Sequence, residues 1–210
     1  MGHKINPNGF RVGITKDWTS RWYLPKKSVA PALLEDQEIR KFLTKRLETA
    51  GVKVIEIERS LNEINVTAKV SKPGIVIGRG GAGVDELREE LRKLTDSKIS
   101  LTVEEVRNAE TDAQLIADFI CRQLKRRLPY RRVMASAVNA AMERGVKGIK
   151  IRLSGLLGGG NTIARTETLS QGSVPSQTLR ADLDFAQVDC LMLFGKIGIK
   201  VWVYKGMKEL

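Results

Sequence analysis

The stretch Gly78-Arg79-Gly80-Gly81-Ala82-Gly83 has the residue types and spacing that most directly suggest chemistry. Read as Gly78-x-Gly80-x-x-Gly83, it is a turn that seats a pyrophosphate at a helix N-terminus, the mark of a nicotinamide-dinucleotide enzyme. Glu104 and Glu105 lie about 20 residues beyond, where a ribose-binding carboxylate belongs. Read as Gly78-x-x-Gly81, it lets a nucleic-acid backbone close on bare peptide groups, with helix N–H groups and Arg79 facing the phosphates.

The second reading corresponds to the clamp of KH modules. The dinucleotide reading needs a strand before the turn and strand-helix alternation after it. Here only Ile75-Val76-Ile77 precedes the turn, and the chain beyond Gly145 is almost all strand-like. Other chemistry is poorly supplied. His3 is the only histidine, and Cys121 and Cys190 are isolated in sequence, so no zinc set or histidine triad can be assembled. Asp182 and Asp184 share a strand face, but in a basic sheet they are expected to pair with cations rather than act as an acid-base couple. Neither a cofactor nor a metal is expected, and the chain is read as non-catalytic.

The 210 residues carry 36 Lys and Arg against 24 Asp and Glu, a formal net charge of +12, which attracts polyanions. Hydrophobic residues make up 42%, so that charge sits on a folded scaffold. No apolar run approaches a membrane span; "CLMLFG" at 190–195 is strand-sized. Two free thiols and no apolar leader in the first thirty residues point to the cytoplasm.

The expected fold class is α+β in three parts. Residues 1–27 form a basic arm in which Lys4, Arg11, Lys16, Arg21, Lys26 and Lys27 oppose Asp17 alone, interleaved with Phe10, Trp18, Trp22 and Tyr23. Such an arm is expected to order on a polyanion or on the body, so Lys4, Arg11, Lys16, Trp18, Arg21 and Trp22 are candidate RNA contacts. Residues 28–106 follow with a helix capped by Asp36, two strands joined by a turn at Ser60–Asn62, the glycine loop, a helix striped by Val84, Leu87, Leu91 and Leu94, and a third strand through Ile99, Leu101 and Val103. Asp85, Glu86, Glu89 and Glu90 on that second helix must face away from RNA.

Residues 107–210 open with two helices separated by Pro129 and continue as strands, with Gly158–Asn161 expected as a hairpin turn. Around Pro129, Lys125, Arg126 and Arg127 end one helix while Arg131 and Arg132 begin the next. The latter two oppose their helix dipole, which hints at a use in nucleic-acid contact. Arg152, Arg165 and Arg180, with Lys196, Lys200 and Lys205, are candidates for a basic sheet face.

"MGHKINPNGFRVGITKDW", "KPGIVIGRGG", "KGIKIRLSG", "IARTE", "TLRADLDF" and "GIKVWVYKG" occur in an order, over nearly the whole chain, that resembles the bacterial ribosomal protein S-three family. The resemblance implies a type II KH domain followed by a C-terminal α+β domain in the head of the small ribosomal subunit. It also implies contact with small-subunit ribosomal RNA, with ribosomal proteins S-ten and S-fourteen as head neighbours. A place at the messenger RNA entrance beside S-four and S-five is implied too, where Arg131 and Arg132 match residues that face the message. The chain departs from the family pattern at Gly80, Ala135, Ser136 and Leu156, positions where cations are common.

Overall fold

The structure is a computed structural model and describes residues 4–60, 63–95, 97–159 and 163–208. The chain divides into two compact units, Trp18–Arg107 and the pairing of Met1–Asp17 with Asn108–Leu210. The expected basic arm is therefore shared between them.

In the first unit, α2 (Lys26–Arg46) is followed by β2 (Val52–Arg59), β3 (Glu63–Val70), α3 (Pro73–Ile77), α4 (Ala82–Arg92) and β4 (Lys98–Glu105). A two-residue strand, β1 (Ser20–Arg21), completes the sheet in the order β1-β2-β3-β4. β2 and β3 are antiparallel, whereas β3 and β4 are parallel, so the chain between them must cross over, and α3 with α4 forms that crossover. The alternation of Ile64, Val66, Ala68 and Val70 buries one face of β3 against Ile39 and Leu43 of α2 and Leu87 and Leu91 of α4. The turn expected at Ser60–Asn62 lies partly outside the described residues, but Ser60 N donates to Glu63 O at 2.9 Å and so closes the β2–β3 hairpin.

Asp36 does not begin a helix. α2 starts ten residues earlier, after Pro25, and runs through Pro31. Asp36 is buried inside the helix, where its carboxylate accepts from Arg59 Nε at 2.7 Å and Trp22 Nε1 at 2.8 Å. Arg59 also donates to Glu35 at 2.8 Å and to the Ala32 carbonyl at 3.1 Å. This network ties β1 and the end of β2 to α2.

In the second unit, α1 (Pro7–Phe10), α5 (Ala113–Lys125) and α6 (Tyr130–Glu143) accompany a wholly antiparallel sheet of β5 (Gly148–Gly155), β6 (Arg165–Gly172), β7 (Ala181–Met192) and β8 (Gly195–Met207), ordered β6-β5-β8-β7. The register pairs Ile149 with Val203, Ile151 with Val201 and Leu153 with Ile199. These residues pack beneath Ile116, Ile120, Met134 and Val138 of the two helices. Cys121 and Cys190 are free and meet in this core, Cys190 Sγ lying 3.5 Å from the Cys121 carbonyl. Burial, reinforced by the neighbouring Cys190, pushes the Cys121 thiol up to about 12. The turn expected at Gly158–Asn161 lies partly outside the described residues.

Arg11 is part of this core rather than a free cation. Fully buried, it donates from Nε to Ala181 O at 3.0 Å, from Nη2 to Ser176 O at 3.0 Å and Thr178 O at 2.8 Å, and from Nη1 to Pro7 O at 3.2 Å. The five donors of a guanidinium suit it to a loop rich in unpaired carbonyls. Arg11→Met is therefore expected to lower unfolding free energy by about 3 kcal/mol, since several buried acceptors lose their donor. Denaturant titration measures this, and unchanged stability with weakened RNA binding would return Arg11 to the surface role.

Candidate nucleic-acid interface

The glycine loop is held between two helices. α3 begins with Pro73 at its first turn, where a missing N–H costs nothing, and ends on Gly78 at φ 67° and ψ −170°. Gly80 at φ 67° and Gly81 at φ 87° continue the left-handed path into α4. At Gly83 the helices approach so closely that a Cβ would lie 2.4 Å from the Val76 carbonyl oxygen. At Gly80 and Gly81, by contrast, a Cβ would meet nothing within 4 Å. Glycine is thus required at 83 by packing and favoured at 80 and 81 by backbone conformation. The outer side of the loop is open to an approaching chain.

α4 starts without a side-chain cap, leaving its first N–H groups available. Two of its carboxylates are drawn towards α2, where Arg46 meets Glu90 at 2.8 Å and Glu86 at 3.2 Å, and Asp85 pairs with Arg88 at 2.8 Å. The dinucleotide reading fails on geometry, because residues 73–77 are helix where a strand is required, and Glu104 and Glu105 simply end β4.

The basic corner forms as expected. α5 ends at Lys125, and Arg127 follows in the left-handed conformation with φ 61°, the one such non-glycine among the described residues. Arg127 N donates to Leu124 O at 2.8 Å and Leu128 N to Gln123 O at 3.3 Å, the paired bonds of a Schellman ending, in which glycine normally occupies the place of Arg127. Pro129 caps α6, whose buried stripe of Val133, Met134, Ala137 and Val138 turns Arg131, Arg132, Ala135 and Ser136 outward. Lys125, Arg126, Arg127, Arg131 and Arg132 are all exposed. Arg131 lies 5.7 Å from the Tyr130 ring centroid and 3.6 Å from Glu167, while Arg132 has no ion pair among the described residues.

The remaining candidates separate. Lys16 sits 3.5 Å from both Asp182 and Asp184, as expected for carboxylates serving as ion-pair partners, and Asp184 also accepts from Ala113 N at 3.1 Å, capping α5. Arg21 pairs with Glu58 at 3.1 Å, and the half-buried Trp22 donates its indole N–H to Asp36 at 2.8 Å, which pins the ring to α2. Lys4 and Trp18 are exposed, as is Tyr23, which is 94% exposed. Lys205 is committed to buried Asp112 at 2.8 Å.

Arg152 and Lys200 stand opposite each other on β5 and β8, on the sheet face away from the helices. Arg165 shares the face of Glu167 by strand alternation, and Arg180 precedes β7 beside the Arg11 loop, so the three arginines form no single patch. Sequence reading missed Lys150 and Trp202, which extend the Arg152 face with Lys150 Nζ 5.8 Å from the indole. The alternation of Lys150 and Arg152 was the available signal.

Residues 120–203 match the family "Ribosomal protein S3, C-terminal domain", and residues 38–111 match "KH domain". Over 207 residues, the chain is 49% identical to small ribosomal subunit protein uS3 of Alkaliphilus oremlandii, covering 98% of this chain and 87% of that protein. The same protein of Clostridioides difficile is 52% identical over 207 residues, covering 98% and 76%, and that of Desulforamulus reducens is 48% identical over 206 residues, covering 98% and 93%.

The Schellman geometry yields a test of the corner. Arg127→Gly removes a left-handed arginine and is expected to stabilise the fold by about 1 kcal/mol while weakening RNA binding. A lowered thermal midpoint, or unchanged RNA affinity, would contradict a binding reason for arginine at this position.

Proposed function

The chain belongs to the small ribosomal subunit protein uS3 family, and from that premise we propose that its corner around Pro129 faces messenger RNA at the entrance of the small subunit. The chain is a non-catalytic structural component of the small ribosomal subunit with a KH RNA-binding domain.

In the proposed arrangement the protein sits in the head of the cytoplasmic ribosome, with S-ten and S-fourteen as neighbours there and S-four and S-five across the message path. Gly78–Gly81 clamps a segment of RNA backbone against the uncapped start of α4. Lys4, Trp18, Lys125, Arg126, Arg127, Arg152, Arg165 and Arg180 contribute further contacts to ribosomal RNA. Arg11 and Trp22 position the segments that carry these contacts.

The observation that carries the entrance assignment is the corner itself. Five exposed cations converge on one turn, two of them at the N-terminus of α6 where the dipole disfavours them. A phosphate backbone crossing that turn offsets both the dipole and the mutual repulsion. Ala135 and Ser136 occupy the next outward positions of α6 and supply no charge, which confines the positive surface to the first turn.

Arg131→Ala combined with Arg132→Ala is expected to slow translation through stable message hairpins more than through unstructured message. Single-message translation kinetics reads the difference, and equal slowing on both templates would assign the pair to assembly instead.

A further inference from the structure

The corner is also one wall of a groove of about 630 Å³, whose apolar lining the proposed RNA contacts leave uncovered. Leu124, Leu128, Tyr130, Leu157, Met192 and Phe194 line it. The β7–β8 turn at its edge is unusual in chemistry. Leu191, Leu193 and Phe194 are 67%, 82% and 58% exposed, and Leu128 opposite them is 44% exposed. Turns that join two strands favour Gly, Asn and Asp, so neither leucine nor phenylalanine is required by the backbone between Met192 and Gly195. Four large apolar side chains around one concave surface mark a site that is covered when the protein works.

The charge at the rim says what covers it. Lys125 and Arg127 line the same groove, and Arg127 keeps its left-handed backbone there. We propose that the groove docks a segment of a different protein in which apolar side chains alternate with carboxylates. The apolar groups fill the groove beside Leu128 and the Leu193–Phe194 turn, and the carboxylates meet Arg127 at its rim. The occupant is not RNA, because walls of leucine, methionine and phenylalanine offer base edges no partners, and burying those edges unpaired is costly. It is not a second copy of this chain, because a two-fold contact would set the Lys125–Arg127 rim against itself on a chain already at +12.

The test places a benzophenone amino acid at position 193 of the full chain and maps its photo-adducts in purified small ribosomal subunits by mass spectrometry. The expected adduct is a segment of another protein in which Leu, Ile, Val, Met or Phe alternates with Asp or Glu. Its yield should fall about tenfold when Leu128→Asp and Phe194→Asp are added, and should be unchanged by Arg132→Ala. Adducts to RNA, to a second copy of the chain or to a segment without carboxylates would each overturn the proposal. So would the absence of any adduct, or a yield insensitive to the two aspartates.

Discussion

The contact of Gly83 with the Val76 carbonyl sets the geometry on which the proposed clamp depends. A parallel β3–β4 pair obliges the chain to cross the sheet, and here the crossover consists of two short helices pressed together where a methyl group would not fit. That pressing forces the intervening residues through left-handed conformations that glycine tolerates best. The loop therefore projects from the sheet with peptide groups bare on its outer side. The helices on either side of it are seated in the core through Val76, Leu87 and Leu91.

The positive charge of this chain serves two separate purposes. Arg11, Arg59 and Lys205 are committed inside the fold to carbonyls and buried carboxylates. Removing one partner from such a buried arrangement strands the other, which makes these cations structural. Arg126, Arg127, Arg131 and Arg132 stay at the surface, where an ion pair such as that between Arg131 and Glu167 is worth little. Charge that the fold does not use remains available to a polyanion. The division also explains why a basic first segment need not be a loose tail, since Arg11, Lys16, Arg21 and Trp22 hold the segment to the body.

The regular elements are legible in the sequence because their periods survive folding. Alternation in β3 and β4 appears where the sequence places it, and α5 and α6 flank Pro129 as expected, whereas Leu94 of the expected α4 stripe lies beyond the helix end at Arg92 and is 39% exposed. The start of α2 is hidden because Pro31 looks like a helix breaker and because Leu33 and Leu34, 59% and 61% exposed, blur the apolar stripe. The role of Arg11 is hidden for a different reason. Apart from Pro7, its partners Ser176, Thr178 and Ala181 lie 165 to 170 residues away in the chain, and no local pattern announces a carbonyl cluster. The hairpin apolar residues are concealed inside "CLMLFG", which reads as one strand until the turn at Leu193–Phe194 exposes its end. The glycine motif itself is ambiguous in sequence, and the helical state of Pro73–Ile77 decides it.

The most direct test of the account is the salt dependence of RNA binding by the full chain, compared with that of a variant carrying Arg79→Asp and Gly80→Asp. Aspartate tolerates the left-handed backbone at Gly80, so the fold should persist. Binding is expected to weaken, with the slope of log K against log salt flattened by roughly 0.7 to 0.9 for each phosphate that the variant no longer neutralises. An unchanged affinity and slope in a cooperatively folded variant would contradict this.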